Sequence, residues 1–173
     1  MSGAGSSHSG DDFGPRFQEH ILAVIARVPA FALRYRTVIH PDYFVSKDHR
    51  LLSRVLLDHV DEFNSLPTEA TLVEEVRPRA SKGDMDALEC LVGKLYTDDI
   101  GDADAVMSKV IEFGQTQAMV NAVISGAERL EKGDRDIRPL IDDALLVGQD
   151  LLDLGHDYSN DLESRLSWYL NPE

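Results

Sequence analysis

The sequence predicts an all-α protein made of a compact helical head, a long antiparallel helical hairpin and a short C-terminal linker helix. Apolar residues recur at steps of three and four along most of the chain, which is the spacing of one face of a helix. No segment shows a convincing strand pattern, in which apolar and polar residues would alternate. Two long helical runs, 102–130 and 137–154, are joined by the tight turn Glu131-Lys132-Gly133-Asp134, and this connection predicts the hairpin.

The elements before the hairpin can be placed in order along the chain. Residues 1–14 are rich in Ser and Gly and predict a flexible N-terminal arm. Residues 15–101 form the predicted head, where apolar spacing indicates helices at 17–28, 30–38, 47–63, 69–76 and 84–96. Pro29 ends the first of these helices, and Pro41 turns the chain after the second. Ser46 and Thr68 are suited to cap the third and fourth, because their side chains can accept hydrogen bonds from unpaired N–H groups.

The hairpin, residues 102–155, carries two apolar stripes on its first helix. We expect the first stripe to be buried against a matching stripe on the returning helix. Its positions are Val106, Val110, Phe113, Gln117, Val120, Ile124 and Ala127, and the matching positions are Ile137, Ile141, Ala144, Gly148 and Leu151. A second stripe remains, because one partner helix cannot cover both. We interpret this second stripe as a self-association interface made of Met107, Ile111, Met119, Val123, Leu140 and Leu145.

The last segment, residues 156–173, consists of a polar connector and a short predicted helix at 161–170. An isolated helix of fewer than about 12 residues is only marginally stable in water. We therefore expect this helix to dock onto a neighbouring molecule through Leu162, Leu166, Trp168, Tyr169 and Leu170. The alternative is that the helix folds back on its own hairpin.

The charge distribution limits the classes of partner. The formal net charge of −14 argues against strong nucleic-acid binding by the chain, since phosphate contacts need clustered Lys and Arg. Residues 27–54 nevertheless hold six basic and two acidic residues, whereas residues 134–163 hold nine acidic and two basic ones. Either the two regions are differently solvated faces, or the basic head surface meets an acidic partner or a neighbouring subunit.

The sequence contains no arrangement that predicts catalysis, a bound cofactor or a metal site. The pair Gly93-Lys94 lacks the upstream glycine of a phosphate-binding loop, and the six histidines fall at no standard metal spacing. The single cysteine, Cys90, lies in an apolar helical pattern and is expected to pack as a small hydrophobic residue. No stretch approaches the roughly 18 apolar residues of a membrane span. We therefore expect no membrane partner and a cytoplasmic location.

Several segments occur in an order that carries a family resemblance. They are Phe17-Gln18-Glu19-His20-Ile21-Leu22, His40-Pro41-Asp42-Tyr43-Phe44, Asp48-His49-Arg50-Leu51-Leu52, Pro67-Thr68 before Leu72 and Val76, Arg129-Leu130-Glu131-Lys132-Gly133-Asp134, and Leu154-Gly155-His156-Asp157-Tyr158. In this order they resemble the N-terminal domain of replicative DNA helicases of the DnaB family, in a phage-type form. The resemblance covers residues 17–170, which is nearly all of the chain after the arm.

The resemblance implies an assembly and partner-docking domain that acts in DNA replication, within the primosome. Such a domain dimerises through its hairpin, forms a ring collar of three dimers and contacts primase or a helicase loader. The family's motor domain, which uses ATP and Mg, is missing from this sequence, so we expect no catalysis by this chain and an ATP-dependent DNA helicase as its parent. The main alternative is a stand-alone all-α adaptor or regulator that binds a replication protein through its hairpin. An unrecognised small helical enzyme is the third possibility.

Overall fold

The structure is a computed structural model, and it describes residues 13–81, 83–100 and 103–151. Within these ranges the chain forms helices and connecting turns without any strand, which confirms the all-α class there. The helices are α1 (Pro15–Arg27), α2 (Pro29–Tyr35), α3 (Lys47–Phe63), α4 (Glu69–Val76), α5 (Met85–Thr97), α6 (Ala103–Glu131) and α7 (Arg138–Leu146). Single 3-10 turns occur at Pro41–Tyr43 and Arg77–Arg79. Residues 1–12 of the predicted N-terminal arm and the terminal segment beyond Leu151 lie outside the described residues. The predicted arm extends too far, because Phe13 packs on the rings of Phe17 and Phe113.

The chain divides into two compact units, Met1–Phe113 and Gly114–Glu173. The division falls within α6, eleven residues after that helix begins at Ala103. The predicted head ends earlier, at residue 101. In the structure the start of α6, up to Phe113, also belongs to the first unit. The other predicted segment boundaries stay predictions.

Helix ends in the first unit are fixed by local side-chain chemistry. The hydroxyl of Ser46 accepts a hydrogen bond from the backbone N–H of Asp48 at 3.2 Å, which caps α3. The hydroxyl of Thr68 accepts from the N–H of Thr71 at 3.2 Å, which caps α4. Both N-caps are as the sequence predicts, since these hydroxyls satisfy N–H groups that have no partner inside the helix. Asn64 ends α3 in the left-handed conformation, with φ of 50°.

The core of the first unit is centred on α1. Six consecutive residues of α1, from Ile21 to Ala26, are buried, and the helix contacts α2, α3 and α5. Helix α4 then packs against α3 and α5. The apolar side chains that these helices bury include Leu52, Val55, Leu56, Val60, Leu72, Val76, Leu88, Val92 and Leu95. Because α1 is covered from several sides, its buried run is continuous and not a single stripe.

The beginning of α6 joins the first unit through Phe113. The ring of Phe113 is fully buried, and its centroid lies 5.6 Å from that of Phe13, 6.0 Å from Phe17 and 5.9 Å from Phe44. Val110 and Val106, one and two turns earlier on the same side of α6, are also buried. These three positions of the stripe are buried as predicted, but they belong to the first unit, and Phe113 packs on its aromatic rings and not on the returning helix.

The second half of α6 contradicts the predicted buried stripe. The prediction buries Val120, Ile124 and Ala127, whereas all three are exposed in the structure. The buried side consists of small residues at four-residue spacing, namely Gly114, Ala118, Ala122 and Gly126. A methyl group added at Gly126 would lie 3.7 Å from the side chain of Ile137. Small side chains allow the returning chain to approach the α6 backbone, so this face is buried and the larger residues stay outside.

The returning helix is interrupted within its predicted range. The sequence suggests a helix over 137–154, whereas α7 ends at Leu146. Gly148 adopts a φ of 75°, a left-handed conformation that glycine enters without steric cost and that interrupts an α-helix. The side-chain amide of Gln115 donates a 3.0 Å hydrogen bond to the carbonyl of Val147. This bond gives a partner to a backbone carbonyl at the point where the helix is interrupted. Of the five predicted matching positions only Ala144 is buried, and the other four are half-buried.

Candidate protein-interaction surface

The second half of α6 presents a shallow, open apolar face that the described residues do not cover. It is lined by Gln115, Thr116, Met119, Val120, Val123 and Ile124, a set that we call the α6 groove. Val120 is 45% exposed, Val123 57% and Ile124 53%. Among the described residues, no charged side chain lines the groove. Contiguous exposed aliphatic side chains are costly in water and mark interaction sites on soluble domains.

The α6 groove occupies one face of the helix because of its residue spacing. Thr116, Val120, Val123 and Ile124 follow one another at steps of four, three and one, which keeps them on a single side. The opposite side of the same segment carries the buried small residues. Residue size therefore decides which face is covered by the chain itself and which remains available to a partner.

The predicted self-association residues are only partly brought together. Met119 and Val123 line the α6 groove, and Leu145 is exposed on α7. Leu140 is half-buried on α7. Met107 and Ile111 are half-buried in the first unit, to which the start of α6 belongs. The predicted docking residues Leu162, Leu166, Trp168, Tyr169 and Leu170 lie outside the described residues.

The sequence pattern does not identify Val120 and Ile124 as exposed residues. Their spacing fits a buried helical face equally well, so periodicity assigns both to the buried stripe. The signal that could have found them is the four-residue repeat of Gly114, Ala118, Ala122 and Gly126, which marks the face where another backbone comes close.

In the basic region of the first unit, residues 27–54, the basic side chains already contact other groups of the chain. Arg36 lies 3.1 Å from Asp61, Lys47 lies 2.9 Å from Asp84, and Arg54 lies 3.7 Å from Asp42. The remaining bases bond to backbone carbonyls or stack on a ring: Arg27 to Tyr96 and Asp98, Arg50 to Phe44 and Val45, and Arg34 over Tyr35. Because all six bases have partners within the chain, the local excess of positive charge favours a solvated face over a site for an acidic partner.

A polar cleft lies between α1 and α5 in the first unit. It has a volume of about 290 Å³, and its polar lining consists of Arg16, Glu19, His20, Lys94, Asp98 and Asp99. Acidic and basic groups are mixed there, so the lining favours no single class of charged ligand. Among the described residues, no three His, Cys, Asp or Glu side chains are grouped to hold a metal ion.

Two histidines of the first unit are buried, and its cysteine is not. His59 is buried and lies 2.8 Å from a carboxylate oxygen of Glu75. His49 is buried with its Nδ1 atom unpaired, and burial lowers its pKa from the usual value despite Glu19 at 3.6 Å. The prediction for Cys90 is wrong: this residue is exposed. On α5 it points away from the buried side formed by Leu88, Val92 and Leu95.

Comparisons with known proteins do not assign the chain to a family. No protein-family model matches it, and no curated protein matches its sequence significantly. In the part of the chain that the structure describes, no helix is both long enough and apolar enough to cross a membrane.

Proposed function

We propose that this chain is an assembly and partner-docking domain of a hexameric replicative DNA helicase of the DnaB family, and that it has no catalytic role of its own. The observation that carries the proposal is the α6 groove, an uncharged face of a long helix that the described residues leave exposed. The order of head, long helix, Gly133 turn and returning helix supports the family assignment, together with the sequence segments given above. Primase or a helicase loader would be further partners.

The free energy gained by covering the α6 groove can be compared with the cost of self-association. Val120, Val123 and Ile124 are each about half exposed, so covering one of them contributes about 1 kcal/mol at roughly 25 cal/mol per Å². A two-fold pair uses each side chain twice, which gives roughly 6 kcal/mol. Association costs ~4–15 kcal/mol in lost freedom of motion. These three side chains alone therefore do not hold a pair at micromolar concentration. A stable pair requires further contacts, such as the exposed Leu145 and Leu146 of α7, and additional contacts in a ring would reinforce the pair.

The test is the mass of the intact chain and of a charged groove variant, measured by light scattering. Val123→Asp should dissociate the assembly while the protein stays helical, because burying an unpaired carboxylate costs several kcal/mol. Val45→Asp is the matched control, since Val45 is an exposed valine of the first unit and does not line the groove. A Val123→Asp protein with the same mass as Val45→Asp at every concentration would contradict the proposal.

The helicase assignment has its own test, which separates it from the adaptor alternative. A nucleotide-binding loop encoded shortly after Glu173 in the gene would support a collar domain attached to a motor. A stop codon at that position would support the free-standing adaptor or regulator.

A further inference from the structure

We infer that residues 161–170 of the same chain occupy the α6 groove when the chain is not self-associated. The structure shows where the connector to this segment begins. Gln115 lines the groove, and its amide donates a 3.0 Å hydrogen bond to the carbonyl of Val147. The N–H of Leu151 then bonds to the carbonyl of Gly148 at 3.2 Å. The chain therefore leaves the described region beside one end of the groove.

The connector is long enough to reach. Nine residues, 152–160, separate Leu151 from the segment, and an extended chain spans at most about 30 Å over that length. The groove runs from Gln115 to Ile124, which is roughly 13 Å along a helix. The tether can therefore place the segment at any point of the groove in either direction.

The chemistry of the segment matches the groove. Leu162, Leu166 and Tyr169 lie at steps of four and three, the spacing of one apolar helix side. The small polar residues Ser164 and Ser167 fall on the opposite side, and the charged residues Glu163 and Arg165 flank the apolar one. Two helices commonly pack their apolar sides against each other, and the described lining of the α6 groove holds no charge that would oppose this packing.

This occupancy would make the terminal segment a competitor of self-association. A second copy and the segment would cover the same aliphatic side chains, so the groove could take one of them at a time. The inference shares the groove with the proposed function and does not depend on it, since the segment can dock whether or not two copies associate.

The experiment is disulfide trapping in the full chain, in a Cys90→Ser background. Val120→Cys and Leu166→Cys place one thiol at the middle of the groove and one at the middle of the segment, so the pair can meet in either orientation. The control replaces Val120→Cys by Arg129→Cys, an exposed position nine residues further along α6 and therefore on the opposite side of the helix from Val120. Trapping is measured under a mild oxidant, at a dilution where light scattering shows single copies.

The expected result is an intramolecular disulfide that forms on the order of tenfold or more faster in the groove pair than in the control, because docking raises the effective concentration above that of a free tether. Adding Val123→Asp should remove this advantage while circular dichroism shows retained helix. Equal rates for the two pairs would overturn the inference. Disulfide-linked dimers as the main product would also overturn it, since the segment would then occupy another copy's groove. Because trapping is measured where single copies prevail, failure of the proposed function is read separately, from the mass of the unmodified chain.

Discussion

Replacing Phe113 by alanine tests whether the start of α6 is anchored in the first unit. Its ring is 0% exposed and lies within 6.5 Å, centroid to centroid, of the rings of Phe13, Phe17, Tyr43 and Phe44. Removal of a buried phenylalanine ring typically costs about 3–5 kcal/mol, through lost burial and the cavity that remains. Domains of this kind are stable by only about 5–15 kcal/mol in total. Phe113→Ala should therefore lower the free energy of unfolding by about 3–5 kcal/mol.

The assay is urea unfolding followed by circular dichroism, with Phe63→Ala as the matched control. Phe63 is 55% exposed and its ring contacts only that of His59, at 4.7 Å between centroids, among the ring pairs described. Its removal should cost about 1 kcal/mol or less, because most of the ring already faces water. If Phe113→Ala costs no more than Phe63→Ala, the aromatic cluster does not hold α6 as described.

Two further predictions concern a helix glycine and a buried histidine. Gly126→Ala should raise the free energy of unfolding by about 0.5–1 kcal/mol, because alanine favours the helix and its methyl group would lie at an ordinary 3.7 Å from Ile137. Gly126→Leu should instead lower the melting temperature, because the larger side chain would clash with Ile137. Burial lowers the folded-state pKa of His49, so the unfolded chain binds its proton more readily. Stability should be fully present above pH of about 6.5 and fall as the pH drops through the folded pKa, and His49→Gln should flatten that part of the curve in thermal melts at a series of pH values.

Local chemistry made much of the fold predictable. The capping hydroxyls of Ser46 and Thr68 act within three residues of their own position, so their effect can be read without knowledge of the tertiary structure. Gly133 likewise reverses the chain through a left-handed φ of 85°, which is available to glycine wherever it stands.

The candidate surface was harder to predict because it depends on which of two helical faces is covered. Val120 and Ile124 have the spacing of a buried stripe, and periodicity alone does not identify the neighbour. The small size of Gly126 determines which face is covered, because Ile137 can approach the helix closely there. Gly148 posed a similar difficulty: it fits the periodic pattern of α7, and only its conformation shows that the helix ends before it.

The mass of the unmodified chain as a function of concentration tests the central claim most directly. One copy weighs 19.2 kDa. Self-association through the α6 groove predicts a light-scattering mass that rises with concentration from that value toward two copies or a larger even number, as expected for a collar built from pairs. A mass that stays at 19.2 kDa up to high micromolar concentration would contradict the account.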